Sequence, residues 1–323
     1  MKRRLLPIMM TLVLVCALPI WAAFVTSGDV TNPLVSTAGA TSPPDNAATR
    51  LKSAISNGGT VQLTEDIEIS ETLVVTRDVT LDLNGHVLKM TGDGSVLKVS
   101  DRATLTIQDS SAEGTGTITG GNAVDGGGVC VEAYATLEMT GGCITGCRAE
   151  DGGGVYIDNN ATLKMTGGCI TDCHASYGGG IYSYENLYMG GTAKIEKCTS
   201  NGGSDDAILN REGNIYADGG TVDGTVNNQG TITRSNGTNA NAATVFNKTV
   251  YMRGSKYTKR CIEAGTYNGT VENTGSIIGG TFYGTVRNQK NSMGLNITGS
   301  VTGGTFYGPI VNEVGPGQVT GGT

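Results

Sequence analysis

Two kinds of reactive side chain recur at a fixed spacing in this chain. Cys143 and Cys169 stand 26 residues apart, as do Cys147 and Cys173. Asp125 and Asp151 keep the same spacing, each directly before three glycines. If 26 residues make one turn of a stacked structure, each pair meets at about 4.8 Å, the distance between neighbouring strands. Thiols that close are within reach of a disulfide. Directly stacked strands hold their Cβ bonds parallel, however, which favours free thiols side by side, so both states stay open. Stacked carboxylates offer the hard oxygen ligands that Ca²⁺ takes. The third copy of the motif carries Tyr177 instead, so Asp125 and Asp151 also read as solvent-facing turn residues. Zinc is not expected, because no His or second Cys sits two residues from these cysteines. Asp205-Asp206 is a further carboxylate pair, and two carboxylates flanking a glycosidic bond can act as acid and base. Neither His86 nor His174 accompanies it in the sequence, and a solvated turn is the competing reading.

The elements that position these residues follow from the repeat. Asp125-Gly126-Gly127-Gly128-Val129 returns as Asp151-Gly152-Gly153-Gly154-Val155 and as Tyr177-Gly178-Gly179-Gly180-Ile181. Leu137-Glu138-Met139-Thr140-Gly141-Gly142-Cys143-Ile144-Thr145 returns 26 residues later from Leu163, and Leu187-Tyr188-Met189-Gly190-Gly191 follows after 24. A period of this size means stacked units that cannot bury their apolar side chains alone. Within each unit apolar and polar residues alternate, the period of a strand. Glycine and asparagine end each run, which marks turns. With 51 glycines against 7 prolines, the chain turns tightly rather than lying disordered. Three short strands and three turns per unit make one coil of a parallel β-helix. Val129, Val155 and Ile181 then form one apolar column, Leu137, Leu163 and Leu187 a second, and Cys143 with Cys169 a third. An aromatic share of 5% suits a narrow bore. A leucine-rich repeat needs a closely spaced Leu-x-x-Leu-x-Leu pattern, which is missing. The triple glycines are not phosphate loops, since no Gly-Lys-Ser/Thr follows them; they fit the tight turn that opens each coil.

Four regions are expected. Residues 1–23 have the layout of a secretory signal peptide: Lys2, Arg3 and Arg4, an apolar run, then small residues near Ala22. Residues 24–44, rich in Thr, Ser, Pro, Gly and Asn, read as a flexible linker. Residues 45–217 hold a capping helix and the 24–26-residue coils. Ala47, Leu51, Ala54 and Ile55 share one helical face, Asp45 or Asn46 can cap its start and Asn57-Gly58 its end. Such a helix would cover the open strand edge of the first coil. Residues 218–323 continue the solenoid with a shorter unit, as in Gly279-Gly280-Thr281-Phe282-Tyr283-Gly284-Thr285-Val286-Arg287-Asn288, whose aromatics at 267, 282/283 and 306/307 are placed to stack. Residues 231–262 read as an interruption, and the closing Gly321-Gly322-Thr323 repeats the opening of earlier units, as a truncated solenoid would. About ten coils are expected, a rod of about 50 Å.

Without residues 1–22 the net charge moves from −7 to −10, because that stretch holds three positive charges and no negative ones. An acidic chain with scattered charge does not fit nucleic acid, and no membrane contact is expected beyond the signal peptide. Seven cysteines remain without Cys16, and an odd number leaves at least one free thiol in an exported monomer. Tyr134, Tyr156, Tyr182, Tyr184 and Tyr188 are available to line an outer face that meets sugar rings, with Tyr156 and Tyr182 also readable as a stacked pair.

Leu81-Asp82-Leu83-Asn84-Gly85-His86, followed by Leu105-Thr106-Ile107-Gln108-Asp109-Ser110-Ser111, resembles the start of secreted right-handed β-helix proteins of the pectin-lyase-like superfamily. The Met-Thr-Gly-Gly and Gly-Gly-Gly-Val-Tyr repeats at 139–142, 152–156 and 165–168 resemble the same bacterial surface proteins, over roughly residues 48–320. Cys147, Cys173 and Cys198 depart from the pattern, standing where such repeats often carry Asn. The resemblance implies a right-handed parallel β-helix and says little about activity, since fold does not fix function. Among its implications, a non-catalytic, adhesin-like surface protein binding polysaccharide, surface glycan or protein comes first. A polysaccharide lyase or glycosidase comes second, and a stalk or spacer third. Asp205-Asp206 is similar to the paired aspartates of polygalacturonase-like glycosidases, but the upstream Asp, Gly-His-Gly and Arg-x-Lys of that family are missing. No catalytic residue and no cofactor is therefore assigned, Ca²⁺ at Asp125 and Asp151 being the one weak candidate.

Overall fold

A computed structural model describes residues 31–33, 46–203, 206–235, 243–253, 260–289, 299–312 and 319–323. The chain is a right-handed parallel β-helix with one short helix at its N-terminal end. Every ladder between named strands is parallel, and residues one repeat apart are direct partners. Val129 pairs with Val155 and Val155 with Ile181. Leu137 pairs with Leu163 and Leu163 with Leu187. All six side chains are fully buried. Like residues stack because a one-residue slip would turn the apolar set of one coil toward water.

The coil from Val129 to Asp151 shows the plan. Val129–Val131 lies in an eleven-stranded sheet. Thr136–Met139 and Cys143–Thr145 lie in a 21-stranded sheet. Arg148–Asp151 belongs to a four-stranded sheet, with Asn122–Asp125 before it and His174–Tyr177 and Thr199–Ser200 after it. Among the described residues the eleven-stranded sheet marks eleven coils, against the sequence estimate of about ten.

Helix α1, Ala47–Asn57, closes the N-terminal end of the bore. The Asn46 side chain accepts the Ala48 N–H and Gly58 ends the helix at φ +80°. Leu51, Ala54 and Ile55 are its buried face. Asp45 and residues 1–30 and 34–44 lie outside the described residues. Within the expected linker, Thr31–Pro33 pairs in parallel with Gly59–Gln62.

Residues 231–262, expected to interrupt the solenoid as a longer loop or irregular coil, continue its ladders wherever they are described, residues 236–242 and 254–259 lying outside the described residues. Ile232 stacks between Ile215 and Ile262, and Val250 between Val226 and Val271. Coils here are uneven: the stacked Asn210 and Asn228 are 18 residues apart and Asn273 and Asn288 only 15. Short coils leave a narrow bore, and a flat ring fills it better than a branched aliphatic chain. Phe246, Tyr267, Phe282 and Phe306 form a continuous stack with centroid spacings of 5.0, 4.8 and 4.7 Å. Outside it, the exposed Tyr283 and Tyr307 stack at 4.8 Å.

Candidate functional site: a concave corner between two sheets

The triple glycines make a corner. Gly126, Gly152 and Gly178 all have positive φ, and at Gly152 a Cβ would lie 2.3 Å from the Val155 carbonyl oxygen. The third glycine faces the core: a Cβ on Gly154 would lie 2.5 Å from Ile170 Cγ2. The chain thus bends sharply and backs onto packed side chains. The four-stranded sheet becomes a wall, and the outer face of the eleven-stranded sheet a floor.

Register places the side chains on each surface. The wall carries Asp125, Asp151 and Tyr177 in one column. The floor carries Lys98, Cys130, Tyr156 and Tyr182 in another. At the N-terminal end the two surfaces border a shallow, open groove of about 660 Å³, lined by Lys98 and Cys130 and by Asn122 to Asp125. Further along, Tyr156 and Tyr182 stack at 5.6 Å, and Tyr184 meets Tyr182 edge-on at 5.3 Å. The Arg211 Nε–H donates to the Tyr182 hydroxyl at 3.0 Å, and that hydroxyl donates to Tyr184 at 3.1 Å. Tyr182 is buried, whereas Tyr177 is half exposed.

Electrostatics sort these groups. Burial, with Asp158 and Glu150 nearby, pushes the Asp125 carboxyl above the usual range, and Lys98 partly offsets this. Burial and the Asp125 charge push the Cys130 thiol up to about 12, so it stays protonated and unreactive. Lys98 is ion-paired with Glu132 at 2.5 Å, and this hydrogen bond raises its pKa. Burial alone would lower Arg211, but the Tyr182 hydroxyl and the Asp151 charge hold it above its ordinary value. Both cations of the corner therefore remain protonated at neutral pH.

The remaining sequence candidates fall as follows. Cys143 and Cys169 are joined by a disulfide, with Cα atoms 4.5 Å apart. They are not a core column, which corrects the third apolar column expected above. In Cys-Ile-Thr it is Ile144 and Ile170 that point inward, and alternation turns the cysteines out. Cys147 and Cys173 are free, and with Cys198 they fill the bore as buried thiols. Each donates weakly to a carbonyl two residues earlier, at 3.3–3.5 Å. Asp125 and Asp151 are register partners, yet no group of three or more His, Cys, Asp or Glu among the described residues is arranged around a metal position. Asp205 lies outside the described residues. Asp206 accepts the Ser200 N–H at 2.8 Å and so closes a turn. Tyr188 stacks on Tyr216 at 4.2 Å, and the Arg102 guanidinium sits 5.0 Å from the Tyr134 ring centre. Lys98 and Arg211 escaped the sequence reading. Lys98 stands in the floor column and Arg211 just past the strand Ile208–Asn210, whose Leu209 follows Tyr182 in that column; neither recurs, so no repeat marks them.

The fold and this corner define a parallel β-helix with a concave outer groove. Compared with protein-family models, curated proteins and solved structures, the chain matches none of them.

Proposed function

We propose that this chain is a non-catalytic, exported surface protein of the adhesin type, which binds a polysaccharide or surface glycan along the corner between wall and floor. The observation that carries the reading is the cluster of Tyr156, Tyr182, Tyr184 and Arg211 beside Asp151 and Tyr177. It supplies the half-buried rings and hydroxyls of Tyr156 and Tyr184, held from behind by the buried Tyr182, and a fixed cation on a rigid sheet face, the mix of apolar surface and few oriented polar groups that small-ligand sites use. A lyase base must take a proton, and Lys98 and Arg211 are both held protonated by their partners. Export rests on the basic, apolar and small-residue order of residues 1–23.

The test is a panel of pectin, polygalacturonate and mucin glycans offered to the full chain. Binding to at least one, weakened about tenfold by Arg211→Ala through loss of a charged hydrogen-bond donor, is the expected result. Appearance of an unsaturated sugar product would overturn the non-catalytic reading, and absence of binding across the panel would overturn the glycan one.

A further inference from the structure

Two repeats near the end of the chain place a tyrosine directly after the inward aromatic, in Thr281-Phe282-Tyr283-Gly284 and Thr305-Phe306-Tyr307-Gly308. Phe282 and Phe306 are register partners and stack on the bore side, so alternation turns Tyr283 and Tyr307 outward on successive coils. Backbone bonds fix both positions. The Tyr283 N–H donates to the Tyr267 carbonyl and the Tyr307 N–H to the Phe282 carbonyl, each at 2.8 Å. The two phenol rings stack with centroids 4.8 Å apart and planes within 7° of parallel. They are 54% and 69% exposed. The solenoid thus holds two accessible phenols face to face on its outer surface.

Paired phenols have an oxidative chemistry of their own. A one-electron oxidant takes a hydrogen atom from each hydroxyl. The two phenoxyl radicals then join by a carbon–carbon bond between ring positions ortho to oxygen, and the hydrogen on each of those carbons returns to oxygen. The pair loses two hydrogens in all. Hydrogen peroxide, acting through a haem peroxidase, accepts them and is reduced to two waters. Rings already held together turn a chance encounter into an intramolecular step. We propose that Tyr283 and Tyr307 are a modification site, coupled by peroxide and a peroxidase into a dityrosine that staples two successive coils from outside. The bond closes a stretch of 24 residues. It does for these coils what the Cys143–Cys169 disulfide does across 26 residues further up. The site lies away from the corner and does not depend on the glycan reading. Other described tyrosines lack one of its features. Tyr134 and Tyr177 are 55% and 50% exposed, but no second described tyrosine stacks on either. Tyr182 is buried beside Tyr156, with its hydroxyl held by Arg211. Tyr188 and Tyr216 stack closer, at 4.2 Å, but both are half-buried. Coupling requires the rings to swing from face-to-face to edge-to-edge, and only the more exposed pair has that freedom.

The experiment treats the dilute full chain with a haem peroxidase and hydrogen peroxide. Dityrosine fluorescence measures coupling, and mass spectrometry of the digested protein locates it. The expected product is an intramolecular link between the peptides that hold Tyr283 and Tyr307, lighter by two hydrogens. Tyr283→Phe and Tyr307→Phe each keep a stacked ring but lose the phenol, and each should abolish this link. Tyr134→Phe should leave it unchanged. Circular dichroism of the variants checks that the solenoid is intact. In urea the two rings meet only by diffusion of the unfolded chain, so this pair should form about tenfold less often or rarer still. In the coupled protein, hydrogen exchange at Val286–Asn288 and Ile310–Asn312 should slow about tenfold or more, as when a disulfide closes a comparable loop. Four results would each overturn the proposal: no link between Tyr283 and Tyr307, equal coupling of this pair in urea, a link at Tyr188 and Tyr216 in its place, or exchange unchanged after coupling.

Discussion

Phe282 is the most exacting test of how this solenoid holds together. It is fully buried in a short coil, with Tyr267 stacked 4.8 Å below it and Phe306 4.7 Å above, both within 8° of parallel. Removing a buried Phe side chain costs about 3–5 kcal/mol. Each stacked pair contributes about 0.5–1.5 kcal/mol beyond its buried area, so the two pairs account for about 1–3 kcal/mol of that. Phe282→Leu keeps much of the volume and loses both stacks, and should cost about 1–3 kcal/mol. Phe282→Ala should cost about 3–5 kcal/mol. Because each coil touches only its neighbours, the loss should be local. Hydrogen exchange read by mass spectrometry should quicken about 10²–10⁴-fold in peptides covering Val271–Asn273 and Val286–Asn288 in Phe282→Ala, tenfold per 1.4 kcal/mol. Peptides covering Thr162–Met165 should keep their protection. Equal loss along the whole chain would mean that the rod opens as one unit, and the nearest-neighbour reasoning would fail. A cost near zero for Phe282→Leu would mean that the ring stack contributes nothing.

Two further outcomes follow from the same contacts. Gly152 and Gly203 share a left-handed φ, +68° and +64°, but a Cβ at Gly152 meets the Val155 carbonyl at 2.3 Å and one at Gly203 meets open space. In chemical denaturation Gly203→Ala should lose only the conformational cost, about 1–2 kcal/mol, and Gly152→Ala clearly more; equal losses would refute the account of the corner. Asp109 receives N–H donors from Gly85, Ser111 and Gly116 at 2.8, 3.2 and 2.6 Å. Burial alone would raise its pKa, but these bonds bring it below the usual value. A carboxyl lowered on folding stabilises above its unfolded pKa, about 3.9, and that contribution is lost as pH falls through the folded value. Thermal melts of Asp109→Asn should therefore show a shallower loss of stability below about pH 4 than the unaltered chain, and an unchanged acid limb would remove Asp109 from the account.

The bore was legible in the sequence because each of its positions is constrained twice, by its own coil and by the coils on either side. Leu137, Leu163 and Leu187 share a column because one strand period and one coil period act on the same residues. Only the placing of Cys143 and Cys169 in a core column fails, for want of one step, while Cys147 and Cys173 are the buried free thiols that stacking allows. In Cys143-Ile144-Thr145 the β-branched apolar residue claims the bore, and alternation then sends Cys143 outward and leaves the inner place to Cys147. The coils across residues 231–262 were hidden because the visible repeat, glycine and threonine at the turns, drops out there. The inward set survives in Ile232, Phe246, Val250 and Ile262.

The candidate site was much less legible, and the reason is physical. An outward position on a solenoid needs only to remain soluble and to tolerate the side chain one coil away. The floor column therefore changes from Lys98 to Cys130 to the Tyr156–Tyr182 pair, while the inward column just before it runs Leu97, Val129, Val155 and Ile181. A repeat search discards such a column as noise. In this fold it is better treated as signal: inward columns report what the bore requires, and an outward column that breaks the pattern beside a fixed corner marks where the surface is free to be shaped for a ligand.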